Sequence, residues 1–207
     1  MALDYRNQVP EAGSITSGEV TRLLSRYCAG EKDALNAVIG LVYEELKKLA
    51  VLRLLSEDQL TLTPTGLVHE VYLRLSKGNG VYFRNRGEFF FFAGHLMRQV
   101  LVDLARRRVA VKRGAKLHQV PMPAVLGGAS EGRIDLETVL ALDEALQRLA
   151  KLDPRQAEMV VLRFFAGLRV VEIAELLGIS KTSVTREWRT AKRWLSRELM
   201  RTKVGSA

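Results

Sequence analysis

The chain has 207 residues, of which 47% are hydrophobic and 27% charged, a composition that supports packed cores and excludes a wholly disordered polypeptide. Lys and Arg number 32 against 23 Asp and Glu, a net charge of +9, and such a surplus favours polyanionic partners, whether nucleic acid or anionic lipid. The lone Cys28 allows no internal disulfide, no apolar run approaches the roughly 18 residues of a membrane span, and no signal peptide is evident. A cytoplasmic protein without a membrane anchor is therefore expected.

Residues 1–16 lack periodicity and read as a flexible leader. From Ser17 the pattern turns helical, with Val20, Leu23, Leu24 and Tyr27 on one face and a break at Gly30. A second helix is predicted from about Lys32 to Leu55, on Leu35, Val38, Ile39, Val42, Leu46 and Leu49. Thr63 is placed to cap a third helix, with Pro64 tolerated in its first turn, and Gly78-Asn79-Gly80 ends it. Asn85 and Glu88 have the spacing of a capping box and open a fourth helix that runs through Arg108. Periodicity is then lost, and Pro121, Pro123, Gly127, Gly128, Ser130 and Gly132 mark a linker. Four more helical patterns follow, at about Leu136–Ala150, Pro154–Ala166, Val170–Leu177 and Lys181–Arg201. No segment alternates as a strand does. The fold class is all-α: a domain over residues 17–113, a linker over 114–135, a second domain over 136–203 and a short tail over 204–207.

The segment from Val170 to Leu195 has the grammar of a helix-turn-helix. Ile173 and Leu177 give its first helix an inner face, Gly178 permits the positive backbone angle of a tight turn, Ile179 plugs the corner and Ser180 can cap the next helix. In that second helix Val184, Trp188, Ala191, Leu195 and Leu199 form one core stripe. Trp188 accordingly reads as packing. The opposite face carries Lys181, Thr182, Thr185, Arg186, Arg189 and Arg193, donors of the kind that enter a major groove. Arg186 and Arg189 are candidates for base edges, and Lys181, Lys192 and Arg193 for phosphates.

A second basic segment lies upstream. Between Arg84 and Lys116 nine Lys or Arg stand against Glu88 and Asp103 alone. Arg98, Arg106, Arg107, Arg108, Lys112 and Arg113 suit phosphate neutralisation. Tyr82, Phe83 and Phe89 to Phe92 place aromatics beside these cations, as expected where unpaired bases stack or a flipped base is held. Four consecutive Phe cover every side of a helix, so at least two must fill the core. The loop residues Tyr82, Phe83, Arg84 and Asn85 are the better candidates for base contact.

No constellation for catalysis or metal binding is present. His69, His95 and His118 are widely spaced, a lone Cys cannot complete a zinc site, and no glycine-rich phosphate loop precedes Lys181-Thr182. Neither an enzymatic activity nor a cofactor is expected.

Three stretches, Thr63 to Leu75, Asn85 to Gly114 and Leu152 to Leu195, together resemble the sigma-70 family, and more narrowly its extracytoplasmic-function group of bacterial alternative sigma factors. The resemblance extends from about Glu19 to Leu199. It implies two domains, equivalent to sigma regions two and four, that bind core RNA polymerase and promoter DNA, with an anti-sigma factor as a further potential partner. Leu67, Glu70, Leu73 and Arg74 would dock on the clamp helices of the largest polymerase subunit, and the second domain on the flap. Tyr82 to Arg113 would recognise and melt the minus-ten element, and Lys181 to Arg193 would read the minus-thirty-five element. Gly66 and His69 depart from the acidic residue and Gln that the family commonly has in the docking helix. Two alternatives are a helix-turn-helix regulator that works without polymerase, and an adaptor that sequesters a partner of the transcription machinery.

Overall fold

The computed structural model describes residues 17–54, 62–77, 81–111 and 136–204. Among them every regular element is helical: α1 Ser17–Cys28, α2 Lys32–Arg53, α3 Pro64–Lys77, α4 Arg86–Val111, α5 Leu136–Leu152, α6 Pro154–Val160, α7 Val170–Leu177 and α8 Lys181–Val204, with a π-helical turn, Val161–Phe165, continuing α6. The predicted leader and linker, and residues 205–207 of the predicted tail, lie outside the described residues, as do Lys112 and Arg113.

Local chemistry sets the helix starts. The Thr63 hydroxyl accepts from the Gly66 amide at 3.0 Å, satisfying a donor that the first turn would otherwise leave free. Asn85 Oδ1 accepts from the Glu88 amide at 2.9 Å. The returning Glu88 carboxylate takes the Arg84 amide at 2.8 Å, one residue before the position a standard capping box would use. Asp153 caps α6 through the Gln156 amide at 3.0 Å, with Pro154 in the first turn. The α6 pattern, expected to run as one helix to Ala166, widens at its end, where the Ala166 amide reaches the Val161 carbonyl at 2.9 Å. Such a π-turn shifts the following side chains around the axis.

Helices α1 to α4 bury the stripes that periodicity marks, with Leu24, Val38, Leu46, Leu67, Val71 and Met97 fully enclosed. Helices α5 to α8 close around Leu142, Leu146, Leu149, Met159, Leu162, Val184 and Leu195 in the same way. The two bundles do not stand apart. Helix α4 packs against α5, the π-turn and α7, and the buried residues of both bundles form one continuous cluster. Gly94 makes this approach possible, since a Cβ there would lie 2.8 Å from the Ala166 backbone nitrogen. Neither the sequence pattern nor the predicted linker anticipates this contact, because glycine on a helix carries no record of what lies against it.

Candidate nucleic-acid interface

The helix-turn-helix is built by the turn between α7 and α8. Gly178 adopts φ 64°, a left-handed conformation that costs an L side chain about 1 to 2 kcal/mol. The Ile179 amide then closes the end of α7 on the Ala174 carbonyl at 3.0 Å. Ser180 Oγ accepts the Ser183 amide at 3.1 Å and starts α8.

Val184, Ala191, Leu195 and Leu199 are buried beneath α8, whereas Lys181, Thr182, Thr185, Arg186, Arg189 and Arg193 are exposed and Lys192 is half-buried. Among the described residues no carboxylate pairs with any of these cations. Glu187 would oppose their charge, but Arg155 binds it at 3.0 Å. Trp188 is half-buried at the core edge with the Arg163 guanidinium 5.7 Å from its ring centroid. The cations of this face therefore have no carboxylate among the described residues to compete for them, while the Thr185 hydroxyl donates to the Lys181 carbonyl at 3.0 Å.

The loop before α4 divides its four candidates. Tyr82 is 69% exposed and Arg84 is also exposed, its guanidinium held by Glu88 at 2.6 Å. Phe83 is only 2% exposed, enclosed by Tyr27, Phe89 and Phe92 with ring centroids 5.6 to 6.5 Å away. Its amide also donates to Cys28 Sγ at 3.3 Å. Phe83 thus anchors the loop and offers no ring for stacking, a correction to the sequence reading. In extended chain, successive side chains take opposite sides, so exposing Tyr82 turns Phe83 inward. Asn85 is committed to the α4 cap. Of the four phenylalanines, Phe89 and Phe90 are buried and Phe91 and Phe92 half-buried.

On α4, Arg106 and Arg107 are exposed and Arg108 is half-buried. Arg98 is held at 2.8 Å by Asp143 of α5, and Arg106 approaches the same carboxylate at 3.7 Å. These groups line a cavity of about 370 Å³ with Arg74, His95 and Gln99. Burial, followed by the nearby Arg98 charge, pushes the His95 imidazole below its ordinary pKa. On α3, Leu67 is fully buried and is not available to a docking partner, which corrects its assignment as a contact. Glu70, Leu73 and Arg74 are half-exposed. Arg74 bonds Glu70 at 3.2 Å and Asp103 at 2.9 Å.

Sequence reasoning missed Arg86. It is 17% exposed, lies over the Phe90 ring at 4.4 Å, and bridges Glu45 of α2 and Glu172 of α7, the latter at 2.9 Å. Its partners are remote in the chain, so no spacing rule could pair them. Arg53 is similar: it donates to the Phe164 carbonyl at 2.6 Å and sits 4.0 Å over that ring. Burial alone lowers its pKa to about 10. Among the described residues no group of His, Cys, Asp and Glu is placed to hold a metal ion, and no helix is long and apolar enough to cross a membrane.

An all-α protein with an exposed basic face on a helix-turn-helix belongs among DNA-binding regulators. The family model described as ECF sigma factor matches residues 17–201. The chain belongs to that family and is an alternative sigma factor of transcription initiation. Comparison with curated proteins and with solved structures yields no significant match.

Proposed function

We propose that residues 17–113 and 136–203 act as two DNA-engaging domains, which core RNA polymerase holds at the two elements of a promoter. Helix α8 enters the major groove of the minus-thirty-five element, with Arg186 and Arg189 on base edges and Lys181, Thr182, Thr185, Lys192 and Arg193 on the backbone. Tyr82 and Arg84 engage unpaired bases of the minus-ten element while Arg98, Arg106, Arg107 and Arg108 neutralise phosphates. Glu70, Leu73 and Arg74 form the polymerase-facing patch of α3, supported from beneath by Leu67. The protein works in the cytoplasm, where polymerase and promoter are found.

The observation that carries this reading is the exposed face of α8, whose cations lack carboxylate partners among the described residues while the other face is locked into the core. Purified protein should bind bacterial core polymerase stoichiometrically and yield specific run-off transcripts from a genomic promoter library. Arg186→Ala or Arg189→Ala should cost about 1 to 3 kcal/mol and relax sequence preference upstream only. DNA binding without any association with core polymerase would instead identify a regulator that acts alone.

A further inference from the structure

We propose that Thr185 reads a thymine of the minus-thirty-five element through its γ-methyl group and not through its hydroxyl. The inference rests on the docking of α8 proposed above and, at this one position, moves the contact from the sugar-phosphate backbone to a base edge.

Thr185 is exposed on the free face of α8. Lys181 stands one turn before it and Arg189 one turn after it, because residues four apart share a helix face. Arg186 is its neighbour. Thr185 therefore lies in the middle of the cationic face, between the two arginines assigned to base edges and the lysine assigned to a phosphate.

The state of its hydroxyl decides what Thr185 can offer there. The oxygen donates to the Lys181 carbonyl at 3.0 Å, the backward bond that threonine makes within helices. A hydroxyl has one hydrogen to give. The oxygens of a DNA phosphate only accept, so the proton that Thr185 would need for a backbone contact is already in use. Turning the hydroxyl outward exchanges one hydrogen bond for another and gains nothing. The other branch of Cβ is free: with the oxygen tied to the helix, the methyl group is what the side chain presents. Thr182 differs. Its hydroxyl has no partner among the described residues, so it keeps a proton for a phosphate. Two threonines of one face thus offer different chemistry.

The methyl group then selects the base. In the major groove thymine alone presents a methyl group, while the edges of the other bases are read through donors and acceptors. Two methyl groups in contact remove apolar surface from water. Against another base the Thr185 methyl would cover a polar atom without replacing its hydrogen bond to water, which is unfavourable. The upstream element should therefore require a thymine among the bases that Arg186 and Arg189 read.

Holoenzyme assembled from core polymerase and the full-length chain tests this on the strongest promoter recovered by run-off transcription. Each upstream thymine, on either strand, is replaced in turn by deoxyuridine, which removes the 5-methyl group and leaves the hydrogen-bonding edge intact. Wild type should bind about fourfold less tightly after replacement at one position, equivalent to about 0.8 kcal/mol for one buried methyl-sized group. Thr185→Ser keeps the hydroxyl and lacks the methyl, so its ratio of thymine to deoxyuridine affinity at that position should fall to about 1. Thr185→Val keeps a methyl and lacks the hydroxyl, so its ratio should stay at about four. The ratio compares two DNAs on one protein, and a general loss of stability in a variant cancels from it. A ratio that survives in Thr185→Ser or is lost in Thr185→Val overturns the proposal, as does the absence of any upstream thymine whose methyl group matters. Arg186→Ala and Arg189→Ala separate that failure from failure of the docking itself. If neither relaxes upstream sequence preference, α8 does not read the groove; relaxed preference without methyl dependence removes the assignment of Thr185 alone.

Discussion

Tyr82 and Phe83 are neighbours with opposite duties, one ring exposed and the other enclosed by three aromatic side chains. Phe83→Ala should destabilise the protein by about 3 to 5 kcal/mol in urea unfolding, the usual cost of emptying an aromatic core site. Tyr82→Ala should leave stability within about 0.5 kcal/mol and instead slow promoter opening, followed by permanganate reactivity of melted thymines. Equal destabilisation by the two changes would contradict the burial difference. The sequence marks both residues as aromatic and loop-borne but does not say which turns inward. That depends on Tyr27, Phe89 and Phe92, which the fold brings together. Arg98 shows the same limit. Its charge is plain from the sequence, while its partner Asp143 belongs to another bundle.

Elements were more legible than residues, because their signals are local. The helix starts at Thr63 and Asn85 and the turn at Gly178 each need only a few neighbouring residues, and all three form as their chemistry dictates. The π-turn at Val161–Phe165 leaves no such mark, since its apolar run satisfies an ordinary helix equally well. Helix α7 joins local and distant control at Glu172. Burial disfavours charge on this carboxyl, but the Arg169 amide and guanidinium and then Arg86 outweigh that cost and hold its pKa below the ordinary range. A carboxyl depressed in the folded state contributes stability above its unfolded pKa of about 4.3, and that contribution is lost as pH falls through the lower folded value. Acid titration should therefore loosen the α7 cap and the Arg86 bridge together. In Glu172→Gln, stability should depend less on pH below about 4 than in wild type. Identical acid-unfolding curves would show that Glu172 contributes nothing to that slope.

At the scale of the molecule, the basic surplus and the two groups of helices were readable, but the packing of one group on the other was not. Helix patterns encode which face is apolar, and a face buried against its own bundle looks the same as one shared with a second bundle. Charge also has a whole-molecule consequence. Arg107→Ala should weaken binding to all DNA sequences alike and reduce the slope of log affinity against log salt by about 1, the loss of one phosphate contact. A changed sequence preference would place Arg107 on a base instead. The Cys28 contact beneath the aromatic loop has a practical meaning as well. Its sulfur is half-buried, takes the Phe83 amide at 3.3 Å, and is the single thiol in the chain. A maleimide therefore has one address in the unmutated protein. Its rate of attachment would report how often the Phe83 contact opens, so the loop that carries Tyr82 and Arg84 has its own built-in reporter.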